Sequence, residues 1–328
     1  MVKIGDIVFG DFPLLLAPME DVSDPPFRAI CKEQGADMMY TEFIAADGLI
    51  RNIDRSVQKL DIYPEERPIG IQIFGNNIDS MRQATEIVEQ ANPDLIDINY
   101  GCPVKKIVSK GAGAGILLDL PKMQSMAAEI VKQTSLPVTV KMRLGFDRNN
   151  IVALEAVQRL QDVGIQAVTI HGRTRADLYR GEANWDYIAE VKHHPSIHIP
   201  IFGNGDINSP EKALAYKKKY GVDGIMIGRA AIGNPWIFRD IKHYVATGKR
   251  LPAPSLQTRV DTIRRHLTLS VDWKGVRTTI FEMRRHYASY LRGILGAKRF
   301  RQQLVQASDL GEIEQLLDRL SAEGGMAS

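Results

Sequence analysis

The stretch LIDINYGCPVKKIVSKGAGAG, residues 95–115, runs from an apolar segment into a lone cysteine, Cys102, with Lys105 and Lys106 close behind it. A thiol placed there is either a reactive group or a small buried apolar one. Further along, VTVKMRL carries Lys141 and Arg143 inside a run of β-forming residues. An ammonium in such a place is costly unless an anion or a polar group meets it, and Asp97 in the preceding run is one such neighbour. TIHGR brings His171 and Arg173 together, and on its own His171 reads first as a satisfied structural histidine. Two glycine-rich stretches, GNGD with Asn204, Gly205 and Asp206, and GRAAIGNP with Gly228 and Arg229, let a backbone approach an anion closely. The histidines are not spaced as H-x-x-x-H, and His193 and His194 fall in a polar connection, so no metal site is read.

Such residues need elements to hold them. Eight short runs rich in Ile, Val, Leu and Met occur at 14–19, 38–42, 68–75, 95–101, 137–145, 167–173, 199–206 and 224–230. Near-continuous apolar character is what parallel strands buried on both faces require. Between them lie helix-like windows with start and stop signals, among them Asp-Pro-Pro from Asp24 and Ser-Pro-Glu from Ser209, the latter closing on Gly221. The alternation predicts an α/β fold, a (β/α)8 TIM barrel followed by a small C-terminal helical domain. A doubly wound open sheet is the runner-up, but APMEDVSDPPFR after the first strand lacks G-x-G-x-x-G. In a barrel the chemistry gathers at the C-terminal strand ends. Those ends hold Pro18, Met19 and Glu20, then Gln72, Asn99 and Cys102, Lys141 and Arg143, His171 and Arg173, and the two glycine-rich turns. Turns after the seventh and eighth strands suit a phosphate.

The chain has 328 residues, 44% hydrophobic and 25% charged, with only two cysteines. That excludes a disulfide scaffold and fits a reducing cytoplasm. No run is long enough to span a membrane, and Asp6 and Asp11 rule out a signal peptide at the N-terminus. The formal charge is +3, unevenly spread: residues 241–301 hold 14 Lys and Arg against 3 Asp and Glu. YVATGKRLPAPS, from Tyr244, reads as a linker, and beyond it only helical periodicity remains. We divide the chain into a barrel, 1–240, and a basic helical domain, 241–328, whose charge implies a polyanionic partner. In VRTTIFEMRRHYASYLRG, Arg277, Arg284, Arg285 and Arg292 fall at helical spacing, with His286, Tyr287 and Tyr290 interleaved for stacking or for packing the bundle.

Six motifs in order, APMEDVSDPPFR, DINYGCPVKKIVSKGAGAGIL, VTVKMRLG, TIHGRTR, GNGDI and MIGRAAIGNPWIF, together resemble the tRNA-dihydrouridine synthase family, and FEMRRHYASYLRG resembles its helical domain. The closest likeness is to the bacterial B-type branch, with Glu20 and Tyr100 as mild departures from its usual residues. The resemblance implies reduction of the C5–C6 double bond of particular tRNA uridines, with FMN as cofactor and NADPH, or NADH, as electron source. It implies that Cys102 delivers a proton to C5 opposite the hydride. Pro18, Met19 and Glu20 would line the flavin ring, with Gln72, Lys141 and His171 at its polar edge. Asn204, Gly205, Asp206, Gly228 and Arg229 would hold its phosphate. Asn99 and Arg173 would face the uracil, and Lys105, Arg277, Arg284, Arg285 and Arg292 would meet tRNA. The partner expected is tRNA, with no membrane and no obligate protein partner. The rival reading is another FMN-dependent barrel oxidoreductase acting on a small enoate or pyrimidine, which leaves the basic tail unexplained.

Overall fold

The apolar runs form parallel strands that close on themselves. The computed structural model describes residues 1–324. The barrel strands are β1 (Leu14–Leu16), β2 (Met39–Tyr40), β3 (Ile69–Phe74), β4 (Leu95–Tyr100), β5 (Val138–Arg143), β6 (Ala167–His171), β7 (Ile201–Asn204) and β8 (Gly224–Ile227). Each pairs with its neighbour in sequence, and β8 pairs with β1. The ring closes through a parallel bridge between Leu15 and Met38. A further segment, Ile44–Ala45, continues the second strand along Ile73 and Phe74. Thus all eight expected strands are present, each shorter at its ends than its apolar run.

Register decides which side chains share a layer. Gln72 lies beside Asp97, and Asp97 beside Thr139. One step nearer the C-terminal ends, Asn99 lies beside Lys141, which lies beside Thr169. Successive residues of a strand point to opposite faces, so the pair spacing of two puts Asp97 and Asn99 on one face. Below them an inner apolar cluster includes Leu15, Tyr40, Leu95, Phe202 and Met226. It also takes in Val2, Ile4 and Phe9 of an N-terminal hairpin (Val2–Ile4 with Ile7–Phe9), which the apolar pattern of the sequence does not announce.

Helices α1 (Pro25–Glu33), α2 (Ile78–Gln90), α3 (Leu120–Gln133), α4 (Ala153–Asp162), α5 (Asp186–His193), α6 (Pro210–Tyr220) and α7 (Ile237–Thr247) cover the outside. Their starts follow the capping signals. Asp24 accepts from the Phe27 amide at 3.0 Å ahead of two prolines, and Ser209 accepts from the Lys212 amide at 3.2 Å. The predicted boundary at 240/241 falls inside α7, whose Ile237, Phe238 and Ile241 belong to the barrel's core. The break in helix comes instead at Gly248, and helix resumes at α8 (Leu256–Tyr290), followed by α9 (Ala297–Gln306) and α10 (Leu310–Gly324). These three share a separate core with Trp236, Val260, Met283, Tyr287 and Phe300 among its members.

Helix α8 is kinked at Gly275, whose φ of 77° and ψ of 164° are open to glycine alone. The residues just before the kink clamp the barrel: Trp273 donates to Asp61 at 2.9 Å, and Lys274 is paired with Asp24 and, at 2.7 Å, with Glu282. Phe27 of α1 stacks on His266 at 5.6 Å and meets His286 at 4.9 Å. No helix of the described residues is long and apolar enough to cross a membrane.

Candidate active site

Cys102 follows Gly101, two residues beyond the end of β4, and is 6% exposed. The Asn99 side chain fixes this turn: its Oδ1 accepts the amides of Gly101 at 2.9 Å and Cys102 at 2.8 Å. On the far side, the Cys102 carbonyl accepts the Ala114 amide at 3.0 Å. Gly113 makes that approach, since a Cβ there would lie 2.8 Å from the Cys102 oxygen, at a φ of 54°. Arg143 ties the same loop to its neighbour, donating to the Gly101 carbonyl at 2.9 Å and to the Thr174 and Leu178 carbonyls at 2.8 Å each. Burial pushes the Cys102 thiol above its ordinary value, so it is a neutral proton carrier at pH 7.

Lys141, half-buried on the same mouth, makes no hydrogen bond or ion pair among the described residues. Burial, then the charge of Arg143, lowers it to about 8 against the pull of Asp97. Asp97 answers Lys141 only at a distance. Its oxygens are taken by Gln72 Nε2 and Thr139 Oγ1, each at 2.5 Å, and burial raises it to about 6. An enclosed ammonium with no acceptor of its own is open to an electron-rich ligand. His171 is held neutral, first by burial and then by Lys141, Arg143, Arg173 and Arg229 around it.

The turns after β7 and β8 meet around Asp206. Its carboxylate accepts Arg173 at 2.9 and 2.8 Å, Arg229 at 3.0 Å and the Ala183 amide at 2.8 Å. These partners hold it below the usual carboxylate range despite the opposing effect of burial. The amides of Gly205, Gly228, Arg229 and Ala230 have no acceptor among the described residues. Together with Arg229, they form a corner suited to a phosphate. Asn204 donates to the Met226 carbonyl at 2.8 Å, and the Met19 sulfur lies by Gly228. Pro18, beside Met19, is half-buried. Tyr179, exposed at the mouth, spans Arg143 at 5.7 Å and Arg229 at 4.7 Å; neither it nor the Arg143 staple stood out in the sequence.

Several expected roles change. Arg173 is buried and spends its guanidinium on Asp206 and on the Arg180 and Gly181 carbonyls, so it braces the turn around Asp206 rather than facing a base. Asp206, being an anion, anchors the arginines rather than a phosphate. Asn99 is buried with both ends of its amide used, and it positions the Cys102 loop. Glu20 takes part in a seam cluster: Lys59 binds it at 2.7 Å and Arg55 at 3.4 Å, with Asp21 and Glu42 close by, and its charge still reaches Cys102. Burial raises Glu42 there to about 7. The cluster borders a cleft of about 310 Å³ between barrel and helical part, walled by Arg55, Lys59, Trp273 and Glu282 among others.

The arginines of α8 do not act as one face. Arg277, and Arg292 just past the helix, are exposed without partners among the described residues, as is Lys105. Arg285 donates to the Asp21 carbonyl at 2.5 Å. Arg284 is half-buried, bonded to the Ala307 carbonyl at 3.2 Å and packed on Phe281. His286, Tyr287 and Tyr290 are buried in the bundle, which leaves them unable to stack on a base.

Solved structures share the fold at low identity. Histamine dehydrogenase from Rhizobium sp. 4-9 gives a TM-score of 0.55 over 82% of this chain and 50% of that one, at 12% identity. A morphinone reductase N189A mutant in complex with tetrahydroNAD gives 0.53 over 75% of this chain and 89% of that one, at 11% identity. Sequence relatives are much nearer. The tRNA-dihydrouridine synthase B of Pseudomonas putida is 40% identical over 92% of this chain and 88% of its own. That of Pseudomonas aeruginosa is 39% identical over 94% and 92%. The probable tRNA-dihydrouridine synthase 1 of Synechocystis sp. is 37% identical over 97% and 88%. A family model described as dihydrouridine synthase (Dus) matches residues 15–323, and on that match together with these relatives the chain belongs to the dihydrouridine synthase family.

Proposed function

We propose that this chain reduces the C5–C6 double bond of uridines in tRNA, with a flavin mononucleotide held in the barrel mouth and NADPH, or NADH, as electron source. The observation that carries the reading is Cys102: a thiol kept protonated by burial, on a loop locked from both sides. The residues fit the cofactor. The four unpaired amides and Arg229 would hold its phosphate, with Asp206 fixing the arginine. Lys141, Gln72, His171, Asn204, Pro18 and Met19 would surround the ring. When bound, the reduced flavin supplies a hydride to C6 of the uracil.

The chain's own residues do the rest. Cys102 gives its proton to C5 as a general acid. The thiolate left behind is stabilised by Arg143 and Lys141, both of which lower the thiol's pKa against the burial that raises it. Solvent then restores the proton. The target base must leave its stack to reach so enclosed a thiol. Lys105, Arg277 and Arg292 would meet tRNA phosphates, and Arg285 would act through its hold on Asp21.

Cys102→Ala tests the reading. Flavin content and NADPH oxidation should stay within about twofold of wild type, while single-turnover tRNA reduction should fall by about 100-fold or more, the scale of a lost general acid. Reduction at the wild-type rate would remove Cys102 from the mechanism. A colourless protein that fails to take up FMN would remove the cofactor assignment.

A further inference from the structure

Between the turn after β8 and the helical part the chain is short and tightly bonded. A single helical turn, Arg229–Ala231, follows Gly228. The carbonyls from Gly228 to Ala231 all take donors from the residues that follow. Gly228 accepts the Ala231 amide at 2.9 Å, Arg229 the Ile232 amide at 3.3 Å and Ala231 the Asn234 amide at 2.9 Å. The Asn234 side chain completes the set, donating to the Ala230 carbonyl at 3.2 Å. The amides of Gly228, Arg229 and Ala230 are thereby left on the other side of the turn, without acceptors among the described residues.

Gly233, inside that closing segment, is where the helical part takes hold. Its amide donates to His286 Nδ1 at 3.2 Å, a buried bond across the seam. A backbone amide can only donate, so Nδ1 is the bare nitrogen of the ring and the proton is on Nε2. Gly233 has a φ of 60° and lies against the backbone of α8. A Cβ there would strike the His286 carbonyl oxygen and come within 2.9 Å of Ser289 Cβ. A little further on, Trp236 stands edge-on to Tyr290 at 5.8 Å, with the Arg259 guanidinium 5.4 Å from its ring. Ala231 thus belongs to the core of the barrel and Trp236 to that of the helical part.

We propose that His286 is a positioning residue for the flavin phosphate: by holding the Gly233 amide, it fixes the segment that aims the amides of Gly228, Arg229 and Ala230. The proposal rests on the reading above that a phosphate sits at that turn. His286 touches no atom of the cofactor and acts through Gly233 and Asn234. The end of β8 sets where the turn begins, and Arg229 on Asp206 at 3.0 Å sets its side chain. The far end of the turn is set across the seam, by α8. The helical part thereby takes part in cofactor binding, and the two events favour one another: a phosphate that orders the turn also tightens the hold of Gly233 on His286.

Riboflavin separates this role from a merely structural one, since it carries the same ring without the phosphate. The full chain, freed of flavin, is titrated with FMN and with riboflavin, and the change in flavin fluorescence reports binding. His286→Leu keeps an apolar side chain in the seam and removes the acceptor. Its FMN affinity should fall by about tenfold or more while its riboflavin affinity stays within about twofold. His286→Asn, whose Oδ1 can stand in for Nδ1, should keep FMN affinity within about threefold of wild type. Unchanged FMN affinity in His286→Leu overturns the proposal. So does an equal fall for both flavins, the mark of a disturbed barrel, or an Asn variant as weak as the Leu one. A measurement on the wild type does not depend on the variants folding. Hydrogen exchange at the Gly233 amide should be slower by about threefold or more at saturation with FMN than with riboflavin, and equal rates overturn the proposal. A wild-type chain that binds riboflavin as tightly as FMN would instead remove the phosphate assignment itself, and this proposal with it.

Discussion

At the scale of single residues, the site depends on small groups that keep Cys102 where it is. Its loop is held by side chains from three strands, Asn99, Arg143 and, through Asn99, Gln72, and by a glycine on the opposite side. Gly113 is the least replaceable. A methyl there would strike the Cys102 carbonyl, and the positive φ would add strain. Gly113→Ala should therefore displace the thiol without touching the glycine-rich turns around Asp206. We expect flavin retained, NADPH oxidation within about twofold, and tRNA reduction down by about 10-fold to 100-fold, as small misplacements of a reacting group cost. Equal losses in both half-reactions would mean that the substitution disturbs the barrel itself. The sequence singled out Cys102, Lys141, His171 and the two glycine turns, and the fold carries them all toward the C-terminal ends of their strands. Asp97 reads in the sequence as a counter-ion for Lys141, whereas its oxygens serve Gln72 and Thr139. Arg143 reads in the sequence as one polar residue at a strand end and Arg173 as a contact to the base, yet both are spent on carbonyls of neighbouring loops, partners that no spacing in the sequence reveals.

At the scale of elements, all eight barrel strands were legible because buried parallel strands need apolar runs bounded by turn residues. Helices with proline or serine starts were legible too. The N-terminal hairpin and the short Gly145–Asp147 and Asn150–Ile151 strands were not, since two or three residues carry no periodicity. The seam between barrel and helical part was also hidden, because it is made of residues with polar labels. His266 and His286 sit there with Phe27, and His286 Nδ1 accepts the Gly233 amide at 3.2 Å. Burial holds His266 down to about 3 and His286 well below its usual range. Both folded values lie below the unfolded one near 6.5, so the neutral rings stabilise the fold above that pH. For His266 the stabilisation is lost as pH falls from about 6.5 toward 3, at up to about 1 kcal/mol per pH unit, and His286 acts in the same direction. Asp97 and Glu42 work the other way, since their raised values favour folding on the acid side and lose that as pH rises through about 6 and 7. A difference between proteins isolates the histidine. His266→Gln should flatten the fall in urea-unfolding stability between pH 6 and 4.5 relative to wild type. Parallel curves would show that His266 already carries its proton in the fold.

At the scale of the whole molecule, charge and docking have to be separated. Residues 241–301 carry a surplus of 14 basic over 3 acidic side chains, and that surplus is divided between two jobs. Lys274 and Arg265 bind Asp24 and Glu33 of the barrel, and Arg264 binds Glu314 and Asp318 within the bundle. Arg285 leans on Asp21. These charges hold the helical part in place and are not free for a polyanion. Arg277 and Arg292, exposed and without partners among the described residues, are free. Removing the tail would therefore be a poor test of its role: a cut near Tyr244 falls inside α7 and bares Phe27 and Trp236, which the tail covers. Charge reversal leaves that packing alone. Arg277→Glu with Arg292→Glu should lower tRNA affinity and flatten its log–log dependence on salt by about one unit for each phosphate no longer neutralised. Flavin content and the urea midpoint should not move. Arg285→Glu should lower affinity while also lowering the urea midpoint, because it releases Asp21 and brings a carboxylate toward Glu20 and Glu42. Binding of the double variant with unchanged affinity and salt slope would place the tRNA elsewhere on the molecule, and the basic surplus of the tail would then be explained by docking alone.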